Sequence, residues 1–277
     1  MAKGIYLGVD GVTRKVKKIY FGVNGMAKKV KKIYLGVGGI ARLCYTDGVA
    51  AGQVIFTSSQ IWTVPEGVKT IDIFVVGGGG YGSATYTTNQ YVTYYGGGAG
   101  AGYTKTSKNI SVAPSQQISV TIGAGSSNGS YGGSGGGSSF GNLLSITGGM
   151  NANGNNGGDG GSGGGHGFYN NRTSNSYRNQ SNGGINGSDG AIGTTSGSSP
   201  PSCVSGKGQG TTTRAFGEPS NTLYSTGGIG GYGSTNNSSG IPNTGNGGSG
   251  NVSGGAGGSG IIIVRWAEQW LFIERRS

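Results

Sequence analysis

The chain of 277 residues is poor in the side chains that enzymes and metal sites use. It contains one histidine, two cysteines and nine acidic residues. A single histidine excludes metal sites built from several histidines, and Cys44 and Cys203 form no zinc motif or disulfide framework. The acids are scattered, without the paired carboxylates of a glycosidase. The sequence therefore predicts a protein that is not an enzyme and holds no metal or cofactor.

Long apolar runs are also missing. No run approaches the roughly 20 residues that a membrane-spanning helix needs; IIIV, at 261–264, is the longest β-like patch near the end of the chain. The N-terminal residues MAKGIYLGVDGVTRKV lack the apolar stretch of a signal peptide. We expect no membrane insertion, and synthesis in the cytoplasm of the producing cell.

Proline is scarce, with six residues. Glycine accounts for 66 of the 277 residues, close to a quarter, whereas it makes up about 7% of average proteins. Such a bias is typical of disordered chains, but these also lack aromatic residues. Here 15 Tyr, 7 Phe and 3 Trp accompany the glycines. We therefore expect an ordered protein with a thin core.

The first 48 residues are an internal repeat with a period of 14. IYLGVDGVTRKVKK, IYFGVNGMAKKVKK and IYLGVGGIARLCYT begin at residues 5, 19 and 33. The Asp-Gly, Asn-Gly and Gly-Gly pairs predict two-residue hairpin turns. In the middle repeat this turn pairs Val23 with Met26 and Ile19 with Val30. We expect a β-meander, too thin to be stable alone, that serves attachment or trimerisation.

Positive charge is concentrated in the same repeat region. Residues 1–48 hold ten Lys and Arg against Asp10 and Asp47, which gives +8 of the total of +11. A basic segment is compatible with nucleic-acid binding. Because the lysines recur with the repeat, solvated strand edges and turns are the simpler interpretation, and we expect no nucleic-acid partner.

A β framework flanks the rest of the chain. Residues 53–76 contain strand-like runs with Ile71, Ile73 and Val75 on one side, and Ile118, Val120 and Ile122 alternate within 110–125. LLSIT at 143–147 and IIIVRW at 261–266 complete the set. We expect 53–76 and 261–266 to share one sheet, with the material between them inserted or stacked.

Glycine blocks recur through 77–260, and several follow a three-residue period, as in GGM NAN GNN GGD GGS GGG HGF at 148–168. Three residues per turn is the period of an extended left-handed helix. Collagen is excluded because proline is scarce and the Gly-X-Y pattern is broken. We predict packed, laterally hydrogen-bonded glycine helices, with a flexible linker as the alternative.

Two glycine blocks also fit the dinucleotide-binding pattern G-x-G-x-x-G, GGGGYG at 77–82 and GDGGSG at 158–163. In so glycine-rich a chain such matches arise by chance. The fingerprint also needs a following helix and an acid about 20 residues on. TYTTNQYVTYY is a poor helix and the next acid is Asp159, so this interpretation fails. For His166 we expect a structural turn or an exposed loop position.

Segments rich in Tyr, Asn, Ser and Thr separate the glycine blocks. This mixture is typical of antibody paratopes, where Tyr supplies rigid contact area and Ser and Asn supply adaptable hydrogen bonds. It also suits sugar rings and hydroxyls, although ordinary polar loops would look similar. The predicted binding residues are Tyr86, Tyr91, Tyr94, Tyr95, Phe168, Tyr169, Arg172, Tyr177, Arg178, Tyr224 and Tyr232.

Several motifs in order carry a family resemblance. WTVPEGVKTIDIFVVGGGG, GGGAGAGYTK, ISVAPSQQISVTIGAG and GGAGGSGIIIVRW resemble the glycine-rich domain of bacteriophage tail-fibre and tail-tip proteins. The IYxGVxGxARKVKK repeats resemble those of phage and prophage tail proteins of Gram-positive hosts. The alternation of glycine blocks and loops is similar to the tip adhesin of T-even-type long tail fibres. That resemblance implies packed polyglycine II helices whose loops bind the bacterial receptor.

The sequence therefore predicts an all-β chain with essentially no α-helix. We expect β-hairpin repeats for attachment or oligomerisation at 1–48, a β-sandwich frame carrying polyglycine II helices and receptor-binding loops at 49–266, and a tail at 267–277. The expected function is host attachment in the tail-fibre or baseplate of a phage virion or a tail-like bacteriocin, through a surface glycan or protein. A homotrimer is expected, with a monomeric cap as the alternative. A purely structural tail component and a cell-surface adhesin are the rival functions.

Overall fold

The computed structural model describes most of the chain, and its secondary structure is almost entirely strands and extended segments. The described residues are 6–9, 12–16, 19–46, 48–89, 92–128, 133–171, 174–177, 205–206, 208, 215–218, 223–231, 238–250 and 252–269. The predicted all-β class is confirmed.

The three repeats form three antiparallel hairpins. Their strands are β1 (Tyr6–Val9), β2 (Val12–Lys15), β3 (Tyr20–Val23), β4 (Met26–Lys29), β5 (Lys32–Val37) and β6 (Ile40–Thr46). In the middle hairpin Asn24 (φ 50°) and Gly25 (φ 75°) form a two-residue turn, which requires positive φ at both residues. Val23 is paired with Met26, and the Val30 N–H donates to the Ile19 carbonyl at 2.7 Å. The predicted turn and register are confirmed.

The hairpins do not join into the expected meander. Within the described residues each is a separate two-stranded sheet. Their repeated apolar positions are open to solvent, with Val12, Met26 and Ile40 exposed by 56%, 61% and 62%. An isolated two-stranded hairpin is marginally stable at best in water. A face this thin was expected to need cover from a partner chain or from the rest of the protein, and in the single chain Val12, Met26 and Ile40 stay exposed.

A β-sandwich follows the hairpins. Its first sheet has the order β12-β9-β18-β7, all antiparallel, from β7 (Gly52–Phe56), β9 (Thr70–Val76), β12 (Thr104–Ser111) and β18 (Ile261–Trp266). The last strand lies between β9 and β7. The expectation that 53–76 and 261–266 share a sheet is confirmed for β7 and β9, whereas residues 60–63 cross to the other layer.

The second sheet has the order β15-β14-β13-β8, from β8 (Gln60–Thr63), β13 (Gln117–Thr121), β14 (Ser138–Phe140) and β15 (Leu144–Ile146). Along β13 burial alternates strictly, with Ile118 and Val120 inward, as the sequence pattern predicted. The inward side chains of both sheets form one core: Phe56, Val64, Val68, Ile71, Ile73, Val75, Ile118, Val120, Phe140, Leu144, Ile262 and Val264.

The glycine blocks form extended rods that bond to one another laterally. In the rod 96–102 every N–H from Gly97 to Gly102 donates to a carbonyl of another segment. The acceptors in chain order are Gly154, Gly165, Gly248, Met150, Ser162 and Gly245. The donors therefore cycle through three partner segments and return to the first after three residues. This is the three-residue turn of a polyglycine II helix.

The carbonyls of the same rod accept from three further segments. The donors are Gly80 and Ser83, Gly158 and Gly161, and Gly228 and Gly231. The rod 96–102 is thus enclosed by six neighbours, three that accept from it and three that donate to it, which is hexagonal packing. Buried backbone N–H and C=O groups need hydrogen-bond partners. The neighbouring rods supply these partners to a segment that belongs to neither an α-helix nor a β-sheet.

The stretch 148–168 is part of this lattice. Its residues Met150 and Gly154 accept from the central rod, Gly158 and Gly161 donate to it, and a tight turn at 153–156 joins the two pieces. The linker alternative is therefore wrong for this stretch. The two glycine motifs that mimicked a dinucleotide site also lie in rods.

Glycine is required in the rods because neighbouring backbones are in contact. A Cβ on Gly98 would lie 2.0 Å from the Gly228 carbonyl oxygen, and one on Gly100 1.9 Å from that of Asp159. Real Cβ atoms do not approach backbone so closely. The alanines of the rod, Ala99 and Ala101, occupy positions where a methyl group is fully buried. The requirement for glycine therefore differs from one position of a rod to the next.

We predict that Gly98→Ala destabilises the protein by about 3 kcal/mol or more, because the colliding atoms belong to backbone that cannot move aside. The matched control is Gly22→Ala in β3, where nothing lies within 4 Å of the added methyl group; it should change stability by less than about 0.5 kcal/mol. Urea unfolding of both variants measures the difference. Equal tolerance of the two changes would contradict the lattice.

Candidate functional site

Three rods carry the chain from the sandwich to a second surface. The rod 77–83 continues β9, and the rod 96–102 leads into β12. They run antiparallel, since Gly80 donates to Gly100 and Ser83 donates to Gly97. Seven residues of such a helix span about 20 Å. The ends near Ser83 and Gly96 therefore lie one rod length from the sandwich.

A third rod ends at the same place. Residues 162–167 run antiparallel to 96–101, because Ala101 donates to Ser162 and Gly98 donates to Gly165. Gly167 is packed against the Tyr95 carbonyl oxygen, with no room for a side chain. This rod ends at Gly167, because a strand begins at Phe168. Three rods thus deliver their chains to one end of the lattice.

At this end the chain forms a four-stranded antiparallel sheet, which we call the tyrosine sheet. Its order is β10-β11-β16-β17, from β10 (Tyr86–Asn89), β11 (Val92–Tyr94), β16 (Phe168–Asn171) and β17 (Ser174–Tyr177). These four strands contain no charged residue. Two segments more than 70 residues apart in sequence are joined by the pairing of β11 with β16. The two segments therefore form one continuous sheet whose strands are uncharged.

Aromatic residues occupy one row across three of the four strands of this sheet, and Ser176 continues the row on β17. Tyr86 is paired with Tyr94, which is paired with Tyr169. The rings of Tyr86 and Tyr94 stack with centroids 4.7 Å apart and planes inclined by 7°. Cross-strand aromatic pairs of this kind stabilise a sheet by about 0.2–1 kcal/mol. Tyr86 remains 46% exposed on the edge strand, so the stack presents aromatic surface to solvent.

The adjacent row carries hydroxyl and amide groups. Thr87 is paired with Thr93, and their Oγ1 atoms lie 3.4 Å apart. The register continues this row with Asn170 and Asn175. Alternate residues of a strand point to opposite faces, so the aromatic row and the hydroxyl row belong to opposite faces of the sheet. By the same register the Phe168–Tyr177 pair shares the face of Thr87 and Thr93, so aromatic positions occur on both faces of the sheet.

The structure brings together many of the residues that the sequence singled out. Tyr86, Tyr94, Phe168, Tyr169 and Tyr177 lie in the tyrosine sheet, with Phe168 paired with Tyr177. Tyr95 is half-buried where β11 passes into the rod. The remaining predicted residues Tyr91, Arg172, Arg178 and Tyr232 lie outside the described residues.

Tyr224 lies elsewhere. Its ring packs against Phe74 at 5.1 Å, on the outer face of the first sandwich sheet, in a cluster with Phe216. Arg265 lies over the Phe216 ring at 4.4 Å and pairs with Glu218. Burial and the nearby Glu218 carboxylate raise the pKa of Tyr224, and Arg265 opposes that shift. Tyr224 thus covers the core of the frame and is not in the tyrosine sheet.

The sequence interpretation missed two features of this surface. It treated the Tyr- and Asn-rich segments 81–95 and 166–182 as loops, whereas each of them contains two strands of the sheet. It also left out Thr87, Thr93 and Asn170, which form the second row. The signal was present, because aromatic and β-branched residues dominate TYTTNQYVTYY, a composition typical of strands.

His166 is buried, with 4% of its surface exposed, beside the end of the third rod. The expectation of an exposed loop position is wrong, because the lattice encloses this residue. Its neighbour Gly167 donates from its N–H to the Asn155 carbonyl at 2.7 Å, so the segment before β16 is tied to the 153–156 turn. Burial lowers the pKa of His166 because the charged imidazolium loses solvation.

Within the part of the chain that the structure describes, no cluster of His, Cys, Asp and Glu could hold a metal ion. The same residues include no helix long and apolar enough to cross a membrane. The surface that remains as a candidate site is the tyrosine sheet.

The family of the chain follows from its match to a known domain. The model of a glycine-rich domain matches residues 55–267, which is most of the chain and includes the sandwich, the lattice and the tyrosine sheet. The chain belongs to this glycine-rich domain family. No curated protein matches it significantly. The three hairpins lie outside the matched region, so the family domain begins at the sandwich.

His166 gives the glycine-rich domain a predicted pH dependence. Its pKa is lowered in the folded state, so below the ordinary value of 6.5 the unfolded chain binds more protons than the folded one. Stability should therefore decrease as the pH falls below about 6.5, by at most about 1.4 kcal/mol per unit of the pKa difference. Urea unfolding at a series of pH values from 8 to about 5 measures it. His166→Asn should flatten this dependence; an unchanged slope in the variant would contradict the assignment.

Proposed function

We propose that this protein is a non-enzymatic tail-fibre or tail-tip protein of a bacteriophage or phage-tail-like bacteriocin, and that its tyrosine sheet binds the surface of the host cell. The structure supports the tyrosine sheet as the binding site, and the resemblance to phage tail proteins supports a role in host attachment. Residues 1–48 would attach the chain to other tail proteins.

The observation that carries this proposal is the convergence of both aromatic segments in one sheet at the end of the rods that lies away from the sandwich. The stacked pair of Tyr86 and Tyr94 has its exposed ring on an edge strand. Rigid tyrosines supply contact area at low entropic cost because they have only two side-chain torsions. Three rods fix the positions of the strands, so little ordering is required when a ligand binds.

The neutral polar chemistry of the sheet fits a receptor with rings and hydroxyl groups. Aromatic faces pack against apolar surface, and threonine hydroxyls and asparagine amides both donate and accept hydrogen bonds. A surface glycan or a polar protein loop of the host has matching groups. The strands β10, β11, β16 and β17 carry no ionised side chain, and the charge next to them in the sequence is that of Arg172 and Arg178, which would favour an acidic receptor group.

The remaining parts of the proposal concern assembly. We infer that the protein is made in the cytoplasm of the bacterial host and incorporated into the virion as a homotrimer, with a monomeric cap as the alternative. Neither nucleic acid nor membrane insertion is part of the proposed function. A purely structural role in the tail is the second candidate, and the exposed apolar positions of the hairpins favour it because they fit contacts with other tail proteins.

We predict that Tyr86→Ala and Tyr94→Ala together weaken binding of the labelled full-length chain to host cells by about 10-fold or more, because truncating an aromatic hot spot costs about 2 kcal/mol. The cells are a panel of Gram-positive bacteria and their isolated walls. Binding is measured from the bound fraction as protein concentration rises.

Tyr34→Ala is the matched control, since Tyr34 is a comparably exposed tyrosine, at 55%, in a hairpin outside the sheet. It should leave cell binding unchanged. If the unaltered chain binds no cells in the panel but assembles with tail proteins, the structural role replaces host binding. Equal losses in the control and the double variant would assign binding to the hairpins.

A further inference from the structure

The three hairpins repeat one arrangement of apolar and cationic residues across their strands. In the middle hairpin Phe21 is paired with Lys28, and the same register places Leu7 opposite Arg14 and Leu35 opposite Arg42. Each repeat therefore sets one cation opposite one large apolar residue, two positions beyond the turn pair. This pattern is independent of the family domain, which begins at residue 55.

The middle hairpin shows which residues share a face with that cation. Cross-strand partners and alternate residues lie on one side of a sheet. Phe21, Val23, Met26 and Lys28 are thus on one face, where Phe21 is 67% exposed and Lys28 is also exposed. The position of Met26 is exposed in the other two repeats as well, at Val12 and Ile40. The face is apolar, open to solvent and interrupted by a positive charge.

A second copy of this chain is poorly suited to cover that face. Packing two such faces together would place a cation from each repeat of both copies in one contact. Between residues 6 and 46 the chain supplies Asp10 as its one acid, and seven acids are spread over the 229 residues after 48. Like charges in a partly dry contact destabilise it. The negative charges must come from another molecule.

A nucleic acid would satisfy the charge but not the apolar surface. Backbone phosphates bind Lys and Arg and gain little from valine, methionine or isoleucine side chains. Protein interfaces combine an apolar centre with paired charges at the rim. The exposed Val12, Met26 and Ile40 therefore favour a protein ligand over a bare polyanion.

We propose that the three hairpins form a docking module for an acidic protein surface that presents apolar side chains together with about one carboxylate for each repeat. This inference rests on the attachment part of the proposed function and specifies its partner. It does not depend on host binding by the tyrosine sheet. Three equal modules on one chain would bind with an avidity greater than that of a single hairpin.

The test measures binding of the full-length chain to three defined probes at about 0.15 M salt. These are a glutamate–tyrosine copolymer, polyglutamate and a DNA duplex. The copolymer should bind about 10-fold more tightly than polyglutamate, although it carries fewer carboxylates, because its tyrosines add apolar contacts. Lys28→Glu should weaken copolymer binding by about 3-fold, and the triple variant R14E/K28E/R42E by about 30-fold.

Lys31→Glu is the matched control, because Lys31 is exposed between β4 and β5 and the charge change is the same. It should change copolymer binding by less than about 2-fold. Sedimentation of the full chain, with and without Met26→Lys, tests the second-copy alternative in parallel. Copolymer binding no tighter than polyglutamate or DNA, equal losses in K28E and K31E, or an oligomer that M26K dissociates would each overturn the proposal. Loss of host-cell binding in the Tyr86 and Tyr94 variants leaves it unaffected.

Discussion

The rest of this structure depends on the close approach of glycine backbones. Every N–H of Gly97 to Gly102 bonds to another segment, and a methyl group at most of these positions would collide with a carbonyl at about 2 Å. The lateral hydrogen bonds depend on the absence of side chains, because a rod can bond to all its neighbours only when their backbones are in direct contact. Glycine loses more entropy on folding than any other residue, and saturation of the backbone groups offsets that cost.

The glycine rods present few side chains that could bind a ligand. We therefore place the proposed binding function at the ends of the rods. At one end the rods 77–83 and 96–102 join the strands β9 and β12, and the aromatic and aliphatic core of the sandwich fixes their spacing. At the other end the same rods open into the tyrosine sheet. Rods of about 20 Å thus separate the stable core from the proposed binding surface. This separation suits the proposed function, because the binding surface can vary without contact to the core.

The sequence was sufficient for features that local chemistry determines. Asn24-Gly25 specified its turn, the alternation of Ile118 and Val120 specified a half-buried strand, and the glycine triplets specified three residues per turn. The sequence alone was insufficient for features that depend on contacts between segments far apart in the chain. Because the glycine blocks resemble one another, the local sequence does not specify that Gly98 bonds to Gly165. The pairing of β11 with β16 and the burial of His166 follow from that lattice, and they could not be predicted before it was known. The packing of Tyr224 against Phe74 is a long-range contact of the sandwich and was equally hidden.

Amide hydrogen exchange of the full-length chain is the most direct test that the lattice is a folded scaffold. The N–H groups of residues 97–102 should exchange as slowly as those of β9 and β18, because each is buried and bonded to a neighbouring rod. Protection should extend through the segments that bond to this rod, including 158–165. Exchange of the rods at the rate of an unfolded chain, while β9 and β18 remain protected, would contradict the account.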